Sequence, residues 1–356
     1  MSLSVVNIGI VGCGRVAEHY LKIFESGVVK NFKIVGVADL VLQKTKIFKK
    51  RFSCQAFLSV EEMLHKVKPD LVLVLTPSSL HYLHSKLALE HGCNVLVEKP
   101  ISMTAVEAEA LSIFAKEKGL LYGVAFQNRL NPAVQALRQA VDGGRFGKIV
   151  SATVRLRWCR FQDYYEDGWH GTWEHDGGVI NQQAIHHLDA LNWLFPIDSV
   201  NAIATKRLNN LEAEDTLVAL VKFGNGAVGT IEATTAARPK DYEASLSVVG
   251  EKGMALIGGI ALNEVQTWDF IDVEEGDEEI FWTHSQAVPT GYGLSHGPLL
   301  NEVISAIKDQ CKVMPITADD AIATTKLVHA LYKSDEQKNW VAVSDNLLSK
   351  RLGIKS

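Results

Sequence analysis

Val6-Asn7-Ile8-Gly9-Ile10-Val11-Gly12-Cys13-Gly14-Arg15-Val16-Ala17 decides how the rest of the chain is read. Strand-forming residues run directly into G-x-G-x-x-A. In such a turn the first glycine makes the bend and the second lets backbone approach a pyrophosphate, while the small third residue lets the next helix lie close on the strand. Arg15 and Val16 then open a helix, whose N-terminal amides favour an anion. Gly12, Gly14, Arg15 and Val16 are therefore candidate cofactor ligands. Glycines also end strands for conformational reasons alone, so the context matters. The next apolar run, Lys33 to Ala38, ends in Asp39, about where the ribose-binding acid of a dinucleotide site falls. Its carboxylate would accept from a ribose 2′-hydroxyl and repel a 2′-phosphate, and Leu40 follows where an arginine could have rescued that phosphate. NAD is expected rather than NADP. A helix-capping role is the plainer alternative for Asp39.

Outward from this motif, apolar β-branched runs alternate with helical patterns as far as residue 125. The runs are Val5 to Val11, Lys33 to Ala38, Asp70 to Leu75, Asn94 to Val97 and Leu120 to Ala125. Between them lie amphipathic stretches such as Ser59 to Val67, Ser79 to His91 and Thr104 to Lys118. Strands apolar on both faces and separated by helices predict a doubly wound parallel sheet of the Rossmann kind. After residue 145 strands follow one another directly. Thr216 to Phe223, Gly224-Asn225-Gly226 and Ala227 to Ala233 read as a hairpin, with further strands at Ala244 to Val249 and Gly253 to Ile257. One helix is expected over Asn181 to Phe195, and two more near Pro298 to Cys311 and Ala318 to Ser334. The expectation is α/β throughout: a cofactor-binding domain over 1–125, then over 126–356 a substrate-binding and oligomerisation domain with an open, largely antiparallel sheet.

Composition narrows the function. With 47% hydrophobic and 22% charged residues the 356-residue chain can bury two cores. A net charge of −5 offers no basic face to nucleic acid or an anionic membrane, so an anionic ligand must be held by local arginines. Apolar runs such as Leu71 to Leu75 are too short to cross a bilayer, and the N-terminus lacks the features of a signal peptide, so a cytoplasmic protein is expected. The five cysteines, at 13, 54, 93, 159 and 311, have no C-x-x-C spacing, which argues for reduced thiols. No metal is expected. His175, His170 and the pair His84 and His91 read as surface or structural, because no second ligand set at metal spacing accompanies them.

Two segments carry chemistry. Ligands of open α/β sheets bind beyond the carboxyl ends of the strands. Glu98-Lys99-Pro100 lies just past one such end, and Thr76-Pro77-Ser78-Ser79-Leu80-His81 past another, so both should face the nicotinamide end of the cofactor. Partial burial disfavours an ammonium, which makes Lys99 a candidate acid/base. Glu98 could accept from ribose hydroxyls, and Pro100 fixes the turn. An exposed lysine at a strand end is the structural alternative.

Taken in order, Gly12-x-Gly14-x-x-Ala17, Asp39, Thr76-Pro77 with His81, Glu98-Lys99-Pro100, Gln127-Asn128-Arg129 and His186-x-x-Asp189 resemble the glucose-fructose oxidoreductase and inositol dehydrogenase family (Gfo/Idh/MocA) over nearly the whole chain. The resemblance implies oxidation or reduction of a sugar-like alcohol at the nicotinamide, with the second domain's sheet packing on another subunit as a homodimer or homotetramer. By it Lys99 is the acid/base and His186 orients the reacting hydroxyl, while Gln127 joins the cofactor ligands and Arg129 the substrate ligands. Many members carry an aspartate four residues before the histidine, where this chain has Gln182, preceded by Asn181. The segment Tyr164 to Trp173, followed by Asp176 to Gln182, resembles the branch that oxidises the 3-hydroxyl of UDP-N-acetylglucosaminuronic acid in surface-polysaccharide synthesis. His170 and Val179 stand where that branch would have arginine and glycine.

The residues themselves suit a polyol. Asn181, Gln182 and His186 would lie on the first two turns of one helix, with i and i+4 sharing a face. Tyr164, Tyr165, Trp169 and Trp173 offer apolar faces and polar tips to a pyranose. Arg155, Arg157 and Arg160 are read as alternating along a strand and pointing to one face, where a carboxylate or pyrophosphate would suit them, Arg160 being the candidate substrate contact. Tryptophans in tandem are also ordinary core residues, and alternating arginines an ordinary solvated face. Rival readings are a dehydrogenase of a free cyclitol, hexose or glycoside, and a non-catalytic NAD-binding sensor.

Overall fold

The structure, a computed structural model, describes residues 5–311 and 313–354. The chain divides into two compact units. The first, residues 1–126 with His296–Thr325, holds a six-stranded sheet in the order β3-β2-β1-β4-β5-β6. Its strands are β1 (Val6–Val11), β2 (Phe32–Ala38), β3 (Gln55–Phe57), β4 (Leu71–Val74), β5 (Asn94–Val97) and β6 (Tyr122–Val124), and all pairings are parallel. All four residues of β4 are buried, as are three of the four in β5, as a sheet covered on both faces requires. The strand order reverses between β1 and β4, which makes that crevice the topological switch point.

The connecting helices are α1 (Arg15–Glu25), α2 (Leu42–Phe52), α3 (Val60–Val67), α4 (His81–Glu90) and α5 (Ala105–Lys118). Their starts follow from capping chemistry. Ser59 accepts from the Glu62 amide, and Thr104 and Glu107 form a reciprocal capping box that fixes where α5 begins. The first stretch of this unit ends at Phe126, and the unit also takes in His296–Thr325, which the linear division placed in the second domain. That segment belongs with the first. Asn301 bonds the backbone of Val28 and Lys30, and Val124 N donates to Ile316 O beside the sheet edge. The short β3 carries too few apolar residues to stand out in the sequence.

The second unit, Gln127–Ser295 and Lys326–Ser356, is built on an eight-stranded sheet. Its elements are α6 (Pro132–Asp142), β7 (Ile149–Arg157), α7 (Val179–Gln182), α8 (Ile185–Leu194), β8 (Ile197–Thr205), β9 (Thr216–Phe223), β10 (Val228–Thr234), β11 (Glu243–Gly250), β12 (Gly253–Gly258), β13 (Glu264–Phe270) and a short α9 (Ile280–Thr283). Next in the chain come α10 (His296–Lys308), which belongs to the first unit, and α11 (Ala318–Gln337), which belongs to the second from Lys326 on; β14 (Val341–Ala342) closes one edge of a sheet ordered β13-β12-β11-β7-β10-β9-β8-β14. Among the described residues of this sheet only β10 with β7 is parallel. The β9–β10 turn uses positive φ at Gly226, as the hairpin reading expected. Strict alternation of buried and exposed residues along β9 shows a sheet with one face covered, and α8 packs against β7 and β11.

Candidate active site

In the first unit the glycine turn follows β1. Gly12 has φ +91°, and a Cβ there would meet the Leu75 carbonyl oxygen at 2.8 Å, so only glycine fits. At Gly14 a Cβ would meet nothing within 4 Å, which leaves an open cradle above the first turn of α1. Gly14 is the N-cap of that helix and supplies no side-chain cap, so the leading amides of Arg15 and Val16 suit an anion. Asp39 accepts from Cys13 N and Val41 N, both at 2.8 Å, and so pins the glycine turn to the loop after β2. A carboxylate offers about four acceptor positions, so the same group retains capacity for a ribose hydroxyl. These residues fit a dinucleotide.

The loops after β4 and β5 are joined by one imidazole. His81 has 1% of its surface exposed, with Nδ1 2.6 Å from Pro100 O and Nε2 2.8 Å from Thr76 O. Burial pushes its pKa down, although both carbonyls favour the charged form. The sequence placed His81 among the cofactor ligands. Its ring is instead a brace that holds Thr76-Pro77 against Lys99-Pro100. His84 stands 3.1 Å from the Thr76 hydroxyl, and burial pushes its pKa down to about 4.

Glu98 also departs from expectation. Its buried carboxylate takes the Tyr20 hydroxyl at 2.8 Å and lies 3.7 Å from His296 Nε2, while the Lys99 amide donates to its other oxygen at 3.3 Å. Burial alone would raise its pKa, but His296, Lys99 and Tyr20 hold it at about 2. Glu98 is thus an inward anion bracing the Lys99 turn rather than an open ribose ligand. Its partner His296 lies some two hundred residues away, beyond the reach of any local pattern. Lys99 itself is half-buried at the strand end.

In the second unit the helix expected over Asn181 to Phe195 is broken. Ala184 N reaches back to Val179 O, one residue further than an α-helix allows, and α8 starts afresh at Ile185. Gln182 and His186 therefore do not share one continuous helix face. What orders the first piece is Asp176, 1% exposed, which the sequence reading did not single out. Its Oδ2 accepts from Gly171 N at 2.7 Å and its Oδ1 from Gln182 Nε2 at 2.5 Å, while Asn181 Nδ2 donates to its carbonyl at 2.7 Å. A carboxylate only accepts, so Asp176 dictates that the Gln182 amide nitrogen faces it and the carbonyl oxygen turns away. Glu214 supports the same piece: its Oε1 accepts from Tyr332 Oη and Ile180 N, and burial pushes its pKa up to about 7.

His187 is fully buried, edge-on to Trp158, with its pKa pushed down to about 4, while His186 is part-exposed. Arg129, expected at the substrate, forms a bidentate pair with Asp189 through Nε and Nη2, both at 2.7 Å, and stacks on Trp193. The two side chains are 8% and 1% exposed. The pair fixes α8, three residues beyond His186, to the Gln127–Leu130 turn. In that turn Gln127 Oε1 is buried without a hydrogen-bond partner among the described residues, an acceptor that suits a ligand donor.

The arginines separate. Arg155 and Arg157 share a face of β7 and pair with Glu232 and Glu243. Arg160 lies beyond the strand end and at odd spacing, so it does not join them. It contacts Asp241 at 3.0 Å and lies over Trp158 and Tyr164. Tyr164 and Trp169 flank His170, which is buried and 2.5 Å from Asp167. Trp173 packs on Tyr332 and Arg351, a structural rather than platform role. Tyr165 bonds Thr235.

Residues 6–126 match the oxidoreductase family, NAD-binding Rossmann fold, of the Gfo/Idh/MocA group, and residues 134–256 match the Gfo/Idh/MocA C-terminal domain. The WlbA dehydrogenase of Chromobacterium violaceum, solved with NADH and UDP-GlcNAcA, is 30% identical with a TM-score of 0.88, covering 95% of this chain and 96% of its own. The WlbA dehydrogenase of Bordetella pertussis, with the same two ligands, is 29% identical with a TM-score of 0.87 over 96% of this chain and 98% of its own. The D-glucoside 3-dehydrogenase of Escherichia coli K12 is 29% identical over 72% of this chain and 78% of its own length.

Proposed function

Because the chain belongs to the Gfo/Idh/MocA family of NAD-binding sugar oxidoreductases, we propose that it oxidises the 3-hydroxyl of a UDP-N-acetylhexosaminuronic acid. The observation that carries this reading is the likeness, over 95% of the chain, to an enzyme solved with UDP-GlcNAcA. The Escherichia coli relative, named for oxidation at carbon 3, supports the position.

Bound NAD supplies the acceptor for the hydride that leaves the carbinol carbon, so the protein's own work is to bind, orient and move a proton. Lys99 Nζ takes the hydroxyl proton as the ketone forms. His186 holds the hydroxyl oxygen. The Gln182 carbonyl, turned outward by Asp176, accepts from a neighbouring hydroxyl, and Asn181 lies beside it. Tyr164 and Trp169 offer ring faces to the sugar, and Arg160 its charge to the uronate or diphosphate. Glu98 and His81 support the base by fixing the turn it rides on. Lys99→Ala should lose most turnover, by a factor of about 10² to 10⁴ for a lost acid/base, with NAD affinity near normal. Unchanged activity in that variant would remove Lys99 from this role.

The Escherichia coli relative also favours a second reading, oxidation of a free glycoside. Competitive inhibition by free UDP supports the nucleotide-sugar reading; turnover of a simple glucoside without any effect of UDP supports the other. We place the activity in the cytoplasm, in the making of a surface-polysaccharide sugar, a setting that suits five cysteines without disulfide spacing. Recovery of the protein in a secreted fraction would exclude it. We also infer a homodimer or homotetramer formed through the uncovered face of the second sheet. There Ile203 and Val218 are paired neighbours on β8 and β9, 66% and 49% exposed, and Leu220 follows at 54%.

A further inference from the structure

Away from the cofactor turn, the first unit gathers a second set of ligating side chains. Glu61 and His65 are one helical turn apart on α3, and His91 is the C-cap of α4. One donor atom from each lies within 4.8 Å of the other two. The two imidazoles stand nearly perpendicular, ring centroids 4.6 Å apart, with Nε2 of His65 3.3 Å from Nε2 of His91.

His91 Nδ1 lies 2.8 Å from Leu87 O, an oxygen that can only accept. Nδ1 therefore carries the proton, and Nε2 presents its lone pair toward His65. Metal-binding histidines are oriented in this way, by a carbonyl on the nitrogen that does not ligate. Two nitrogens about 2.0–2.1 Å from a tetrahedral ion stand about 3.3–3.4 Å apart, the separation seen here. Glu61 adds an anionic oxygen. The C-terminal end of α4 contributes the negative end of its dipole, which favours a cation at His91. Lys66, the nearest ammonium along α3, is held by Glu62 at 2.9 Å.

We propose that Glu61, His65 and His91 bind one divalent transition-metal ion, of which zinc is the representative, with water completing the shell. Two imidazoles and one carboxylate suit zinc and its neighbours; magnesium and calcium prefer all-oxygen shells. Both helices run back from the carboxyl edge of the sheet, so the site lies at the edge opposite the glycine turn. A metal there clasps the ends of α3 and α4 and stabilises the unit without entering the dehydrogenase chemistry.

The test uses full-length protein freed of any affinity tag and stripped with chelator. Zinc should bind at one ion per chain and raise the melting temperature, and magnesium should do neither. His65→Ala removes an exposed ligand and should abolish both responses. Glu61→Gln keeps the shape of the side chain and should weaken binding, with the circular dichroism spectrum unchanged in each variant. The proposal is overturned if zinc raises the melting temperature of wild type and of the His65→Ala, His91→Ala double variant equally, or if wild type retains no more zinc than that variant.

Discussion

Replacing Glu214 by glutamine isolates one buried carboxyl and makes its contribution to folding measurable. Glu214 is 3% exposed, with Oε1 accepting from Tyr332 Oη at 2.9 Å and Ile180 N at 3.1 Å, while its own carbonyl accepts from Val179 N. Burial raises its pKa from 4.5 to about 7, against the pull of those hydrogen bonds and of Arg351. The folded protein therefore keeps a proton that the unfolded chain releases. Stability from this group is complete below pH 4.5 and is lost as pH rises through 7. At 1.36 kcal/mol per pH unit, the span corresponds to about 3 kcal/mol. Glutamine keeps the acceptor for Tyr332 and Ile180 and has no proton to lose. Urea unfolding of both proteins at pH 5 and pH 8 gives the double difference. Because part of the term is already lost at pH 5, wild type should lose about 2.5 kcal/mol more than Glu214→Gln between the two values, other titrating groups cancelling. Equal losses in the two proteins would refute the assignment of a raised pKa to this carboxyl.

Two further outcomes follow from packing. Asp189→Ala leaves the Arg129 guanidinium buried without its carboxylate and should cost about 3–5 kcal/mol in denaturant unfolding; a loss below 1 kcal/mol would show that the charge finds water. Val218→Lys places an ammonium on the uncovered face of the second sheet and should shift the protein to smaller species by light scattering, with NAD affinity unchanged; an unaltered mass would exclude that face from the contact.

Much of the first unit was legible because its signals are local. A parallel strand buried on both faces must be an unbroken apolar run, and Gly12 must be glycine because the backbone there is left-handed and closely approached. The capping residues of α3 and α5 likewise announce themselves within four positions. The site's supports were not legible, since Tyr20, His296, Asp176 and Glu214 meet their partners through folding rather than through spacing. The break between α7 and α8 illustrates the limit. A continuous apolar and polar rhythm across Asn181 to Phe195 predicts one helix, and the reach of Ala184 to Val179 interrupts it without any glycine or proline to mark the place.

By itself the sequence determined the Rossmann half, the dinucleotide turn with Asp39, the lysine at a strand end and a second half made mainly of antiparallel strands, because each is written in neighbours along the chain. Tertiary structure alone decided which charged groups are spent on holding the fold. Arg129 goes to Asp189, Glu98 to Tyr20 and His296, and His81 to two carbonyls, since a buried polar group must take whichever partner the packing brings within hydrogen-bond reach. It also brought His65 to His91, a meeting that depends only on where two helices happen to end.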